Sequence, residues 1–221
     1  LVFVQGETQQ MLHVRSPFGM TTDISSVDAW ISAPSMAALS NDAVVDVAVT
    51  VPAGQPVTNG YGLSSGTLEF AAALDPAVAR EIPVYVVRPG YFELDQDALY
   101  FLEGATNTIG VELYSPLTVT VDVFPGAGWI DTDVSQVTVT NDDAVIGVTV
   151  GGMEAGETNF VRFTNADDST VTHVVDVIVL SNGYFEATPS VLEFVQGDTQ
   201  KFITVSSPLT ANVRLKAPTN A

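Results

Sequence analysis

Two histidines, twenty-six acids and no cysteine are what this 221-residue chain brings to chemistry. Nucleophilic hydrolysis needs a base within hydrogen-bond reach of the nucleophile, usually a histidine. His13 and His173 stand far apart in the chain, each inside a strand-like segment, and both read as ordinary strand residues. Glycosidase-type carboxylate pairs need a cleft between them, whereas the acids here lie mainly in turn-like stretches. Without cysteine there is neither a disulfide framework nor a thiolate metal site. No catalytic residue is assigned, and an enzyme is not expected.

Calcium is the best of the chemical candidates, because hard cations take six to eight oxygens, often from Asp and Asn in loops. The candidate ligands are Asp131 and Asp133, Asp142 and Asp143, and Asp167 and Asp168, all in the middle of the chain. None follows the twelve-residue EF-hand pattern, and turn propensity explains Asn and Asp as well. No other cofactor is expected. Sugar binding needs exposed aromatic rings. Tyr61, in the Gly-rich stretch from Pro52 to Gly66, is the glycan candidate, while Trp30 and Trp129 each precede an isoleucine and read as core.

These residues are carried by a repeat. LVFVQGETQ at Leu1 to Gln9 returns as LYFLEGATN at Leu99 to Asn107 and as LEFVQGDTQ at Leu192 to Gln200. Leu, Phe, Gly and Thr hold the same places in every copy, and such repeats mark structural units. Ser16-Pro17, Trp30-Ile31 and Val47, Val49 and Val51 return 99 positions later as Ser115-Pro116, Trp129-Ile130 and Ile146, Val148 and Val150. One constant offset means one strand order. Gly90-Tyr91-Phe92-Glu93 and Gly183-Tyr184-Phe185-Glu186 precede copies two and three by the same interval. Such aromatic joints suit a packed hinge and a stiff rod, since flexible linkers are Gly/Ser-rich.

The modules are therefore placed at 1–89, 90–182 and 183–221. The repeat opens each as a strand ending at a Gly turn. Gln10 to Arg15 is a second strand, stopped by Ser16-Pro17 because Pro cannot donate to a central ladder. Ala29 to Ile31 makes a tryptophan strand, and the Val alternation from Val45 to Val51 marks a strand with one buried face. Thr67 to Ala73 and Ile82 to Arg88 close the first module; Asn159 to Thr164 and Thr170 to Leu180 close the second. Helix signals are confined to single turns at Ser35 to Leu39 and Asp75 to Arg80. The third module has its opening strand, Phe202 to Val205, Ser207-Pro208 and Ala211 to Leu215, and then stops, too little for a closed sandwich. The expected fold class is all-β: tandem immunoglobulin-like β-sandwich modules, two complete and a third partial.

Charge narrows the partners. Seven Lys and Arg against twenty-six Asp and Glu give a net charge of −19, which excludes nucleic acid and anionic membrane surfaces. Residues 1–89 hold eight acids and three bases, 90–182 fifteen and one, and 183–221 three and three, so only the last segment is neutral. No apolar run approaches the roughly 18 to 20 residues that span a bilayer, and membrane insertion is not expected. No signal peptide opens the chain; starting inside a repeat suits a mature or trimmed form. A hydrophobic fraction of 46% beside only 15% charged residues fits either a Val/Thr/Ala-rich sandwich or apolar surface covered by neighbouring subunits.

An L-x-F-x-x-G opening strand, a Ser-Pro turn, a W-[IL] strand, a Val-alternating strand and a closing hairpin together resemble the bacterial BACON-like and related immunoglobulin-like modules of cell-surface proteins. Ala33-Pro34-Ser35 keeps a trace of the segment that follows the W-[IL] strand in that family, and the second module lacks it. The resemblance implies an extracellular or cell-surface setting and leans toward carbohydrate. The functional expectation is a non-enzymatic structural module of a surface appendage, filament or virion fibre, partnered by copies of itself or other appendage proteins and assembled by strand addition through the partial third module. A carbohydrate-binding or adhesion module is the alternative, with glycans as partners. Continuation of the third module in a longer chain explains its incompleteness equally well.

Overall fold

The structure, a computed structural model, describes residues 1–57 and 63–214. It contains no helix among these residues, and the fold is the expected one: immunoglobulin-like β-sandwiches, two complete and a third partial. By internal packing the chain divides into two compact units. One is Leu1–Glu93 with Ser115–Val119 and Thr140–Asp142; the other is Leu94–Tyr114 with Thr120–Val139 and Asp143–Ala221.

The first module comprises β1 (Val2–Val4), β2 (Gln9–Arg15), β3 (Met20–Ser26), β4 (Met36–Leu39), β5 (Val44–Thr50), β6 (Leu63–Ala72) and β7 (Asp75–Val87). One sheet has the order β1-β7-β6-β3-β4 and the other is the antiparallel pair β2-β5. Alternation in β5 puts Val47 and Val49 inside with Phe3, Leu68, Val84 and Val86, all at most 2% exposed. Each such Val or Leu contributes about 1.5–3 kcal/mol by leaving water. β1 pairs with β7 in parallel, Phe3 opposite Val86, so the start of the module is fastened to its end.

The second module comprises β8 (Glu93–Leu94), β9 (Ala98–Leu102), β10 (Thr106–Pro125), β11 (Ile130–Thr132), β12 (Gln136–Gly151), β13 (Thr158–Asn165) and β14 (Thr172–Leu180). β9 closes it by pairing in parallel with β14, Phe101 opposite Val179. The strands form one seven-stranded sheet of order β11-β12-β10-β13-β14-β9, with β8 on β10. The far end of β10 pairs with β13 and its near end with β8, while the far end of β12 pairs with β11. The first module breaks the same path into β2 and β3 and into β4 and β5. Asn141 and Asp42, 99 positions apart, both take positive φ at this crossing, 47° and 55°.

Exposed strand positions carry threonine where charge would be usual. Thr120–Thr138 and Thr164–Thr172 face one another across strands at 2.9 and 3.1 Å, pairs worth about 0.2–1 kcal/mol each. Arg162 lies 4.9 Å over the ring of its cross-strand partner Phe124, which keeps the single base of the middle segment on an aromatic face.

The repeat glycine has a conformational reason. Gly6, Gly104 and Gly197 have φ of 102°, 68° and 105°, a region that disfavours any Cβ. In copies one and three an acid clamps the same turn. Glu7 Oε2 accepts from Val4 N at 2.9 Å and Asp198 Oδ2 from Val195 N at 3.2 Å.

Several local expectations are corrected. Ala29 to Ile31 is a turn closed by Ile31 N donating to Asp28 O at 2.9 Å, and the equivalent bond from Ile130 to Ala127 leaves Trp129 in a turn before β11. Both tryptophans are half-buried, and the isoleucines after them are the core residues. Met36–Leu39, within the expected turn at Ser35 to Leu39, and Asp75 to Arg80 are strand, because β4 pairs with β3 and the start of β7 with β6; ladder bonds override a helix-compatible sequence. Ser115-Pro116 does not stop β10.

The largest correction concerns the third segment. LEFVQGDTQ forms no strand there, nor do the described residues of Ala211 to Leu215. Only β15 (Glu186–Thr188) and β16 (Thr204–Ser206) form, as an antiparallel pair. β1 and β9 exist because a closing strand of their own module offers a parallel edge; the third copy has no such partner. Phe3 and Phe101 are 0% and 1% exposed, whereas Phe194 at the same repeat position is 56% exposed.

Two outcomes follow. Phe101→Ala costs about 3–5 kcal/mol in urea unfolding, and Phe194→Ala changes stability by less than about 0.5 kcal/mol; equal losses would contradict this account of closure. Asp198 is held below its ordinary pKa, first by the Lys201 ammonium at 2.8 Å and then by the Val195 amide. A depressed carboxylate favours the ordered turn above its unfolded pKa and loses that contribution as pH falls through the folded one. NMR titration of Asp198 and of the Val195 amide therefore shows one shared acidic midpoint, which Lys201→Ala moves upward.

Candidate functional site

The feature that recurs in all three modules and differs among them is the Ser-Pro serine and what its hydroxyl holds. Ser115 is fully buried. Its Oγ–H donates to Tyr91 O at 2.7 Å, and its Oγ accepts from Leu117 N at 3.1 Å. Ser207 repeats this with Tyr184 O at 2.7 Å and Leu209 N at 3.2 Å. In both places the serine clamps the first aromatic of a Gly-Tyr-Phe-Glu joint.

That clamp seats the joint as a strand. Following Tyr91, β8 lies along β10: Asp95 N donates to Glu112 O at 3.0 Å, Glu112 N donates to Asp95 Oδ1 at 2.8 Å, and Gln96 Nε2 donates to Gly110 O at 2.7 Å. Tyr91 and Phe92 are 1% and 0% exposed. Following Tyr184, β15 pairs with β16 in the same way, Glu186 opposite Ser206. There Phe185 is 46% exposed, because no closed sandwich stands behind the pair. Tyr184 Oη donates to Glu186 Oε1 at 2.6 Å, which raises the phenol pKa. Gly90 and Gly183 start both joints with φ of 74° and 80°.

The first module has the serine and no joint strand. Ser16 is 6% exposed. Its Oγ accepts from Phe18 N at 3.2 Å, and among the described residues its hydroxyl hydrogen meets no acceptor. β2, which occupies the place of the β10 segment under β8, pairs with β5 alone. Its outer edge opens beside a cavity of about 520 Å³ lined by Leu12, Val14, Met20, Phe70 and Ile82, with His13, Arg15 and Arg80 at its border. The equivalents of Leu12 and Val14 in the second module, Val111 and Leu113, are fully buried.

The residues singled out for chemistry are not brought together. Asp131 Oδ1 accepts from Thr132 N at 3.0 Å, and Asp168 Oδ1 accepts from Thr170 N and Oγ1 at 3.0 and 2.6 Å. Asn165 Oδ1 accepts from the amides of Asp167 and Asp168 at 2.8 and 2.9 Å, so that pair sits in a side-chain-capped turn. Asp133 follows β11, and Asp142 and Asp143 lie within β12. Among the described residues no three His, Asp or Glu side chains gather as a metal site would require. Tyr61 lies outside the described residues. His13 is an exposed β2 residue with Nδ1 2.6 Å from Asp46 Oδ1, and His173 stands opposite Phe163 in β14.

No family model and no curated protein matches this chain. Among solved structures, the D0-D1 domain of intimin aligns over 81% of this chain and 93% of its own, at 12% identity and TM-score 0.33. The E. coli chaperone DraB aligns over 80% and 93%, at 11% identity and TM-score 0.34. A Bacteroides ovatus GH5 xyloglucanase aligns over 42% of this chain, which spans only 19% of that protein, at 11% identity and TM-score 0.33. No helix of the described residues is long and apolar enough to cross a membrane.

Removal of the clamp tests its weight in each setting. Ser115→Ala leaves a buried carbonyl unpaired and costs about 1–3 kcal/mol, while Ser16→Ala, which strands no acceptor, costs less than about 0.5 kcal/mol. Paired urea titrations check the contrast; equal costs would show that the joint carbonyl is not what Ser115 holds.

Proposed function

We propose that the chain is a non-enzymatic structural module of an extracellular appendage, filament or fibre, and that the partial third module joins it to a neighbour by strand addition. One observation carries this reading. Phe185, Phe194, Val195, Phe202, Ile203 and Val205 stand 42–77% exposed on and around a lone two-stranded sheet, although the same repeat grammar buries Phe92 and Phe101 fully in the second module. A two-stranded sheet is marginal by itself, and exposed edges with apolar side chains are the usual substrate of β-augmentation. The segment is also the neutral part of a chain with net charge −19, so it approaches an acidic neighbour with little repulsion. Within that reading the BACON-like resemblance is the finer family assignment.

Sedimentation velocity from low to high micromolar concentration, followed by electron microscopy, tests this. The expected result is concentration-dependent assembly into fibres that persists at high salt, because apolar burial and backbone pairing are not screened. A chain that sediments as a monomer throughout would sink the proposal.

A further inference from the structure

Resting on the reading of a self-assembling chain, we infer that the outer face of the second module's sheet, centred on Phe124, Arg162 and Val174, docks on the Glu69–Glu81 pair in the first module of a second copy. The three residues form one row across neighbouring strands, Phe124 opposite Arg162 and Arg162 opposite Val174. Their chain neighbours Val123, Val161, Phe163 and Val175 are buried, so the period of two turns the row outward. Phe124 is 51% and Val174 48% exposed. Arg162 is the only base of residues 90–182, and among the described residues it makes no ion pair. Its guanidinium lies instead 4.9 Å from the centre of the Phe124 ring. Resting there, the group is held in place while its N–H edges stay open to a partner's carboxylates.

The first module shows that the fold does not require this row. On the equivalent ladder Ser25 stands opposite Glu69, and Glu69 opposite Glu81. Glu69 is half-buried and Glu81 exposed, and neither has an ion pair among the described residues. Like charges directly opposite one another destabilise a sheet, and their Cβ atoms stand only about 5 Å apart. A guanidinium carries donors on more than one edge, enough to take a carboxylate on each. Beside the glutamates the next pair of the ladder is Ala71 and Ala79, low side chains that leave room for the Phe124 ring. One module thus presents an unpaired base on an aromatic plate, and the other an unpaired acid pair beside a flat surface. Aromatic residues and arginine are the types that anchor protein interfaces, and complementary charge selects which surface meets which. The two faces are unlike, so the contact is heterologous and continues from copy to copy.

Charge exchange in the full chain, read by sedimentation velocity, tests this contact. Arg162→Glu alone, or Glu69→Arg with Glu81→Arg, sets like charges face to face and raises the concentration for half-assembly about tenfold or more. The chain carrying all three exchanges returns to within about threefold of the original. Phe124→Ala, which leaves every charge in place and serves if a charge variant fails to fold, raises it about fivefold. If the chain assembles but Arg162→Glu and Phe124→Ala leave the midpoint unchanged, this contact is overturned while strand addition by the third segment stands. If the chain stays monomeric, both are overturned. Polygalacturonate binding that Arg162→Glu abolishes, with assembly indifferent to the glutamate exchange, gives the face to an acidic glycan and excludes the second copy.

Discussion

In the first two modules the repeat strand is fastened in parallel to the module's last strand, and the core on either side is built on that pairing. β1 on β7 and β9 on β14 fasten residues some eighty positions apart, and loop-closure entropy grows only slowly with such separation. Once fastened, the shared repeat Phe is shut inside and the Gly turn after it has a fixed place to reverse the chain. In the third segment, where no closing strand pairs with it among the described residues, the related repeat stretch leaves Phe194 in solvent. Closure thus decides the fate of the shared Leu and Phe.

The second recurring interaction, the Ser-Pro hydroxyl on a joint carbonyl, governs the opposite edge. It satisfies a main-chain acceptor that would otherwise be buried unpaired, the kind of group native structures almost always provide for. By holding the start of a joint strand it also sets the register along the neighbouring strand. A module with both closures has no bare edge at these two places.

Electrostatics does not decide the fold. With seven bases against twenty-six acids, at least nineteen carboxylates have no base of their own, and the ion pairs His13–Asp46, Arg15–Asp42 and Lys201–Asp198 lie in the first and third modules. Charge is balanced only in the last segment, 183–221, with three acids and three bases. Solvent-facing threonine pairs keep strand faces polar without adding charge, in keeping with a chain that has only 15% charged residues.

The sequence by itself determined the all-β class, the repeat, the shared strand order of two modules and the positive-φ glycines, because period-2 alternation and Gly preference are local properties of the backbone. The two joints were also legible, since Gly-Tyr-Phe-Glu recurs at a fixed interval. Only the tertiary structure decided which of these segments become strands. Met36 to Leu39 and Asp75 to Arg80 are extended because a neighbouring strand offers ladder bonds, Trp30 and Trp129 sit in turns because nearby carbonyls close them, and LEFVQGDTQ stays outside any strand because its partner is absent. The role of the Ser-Pro serine was hidden for the same reason: Ser16 looks identical to Ser115 and Ser207 until one sees what each side chain holds.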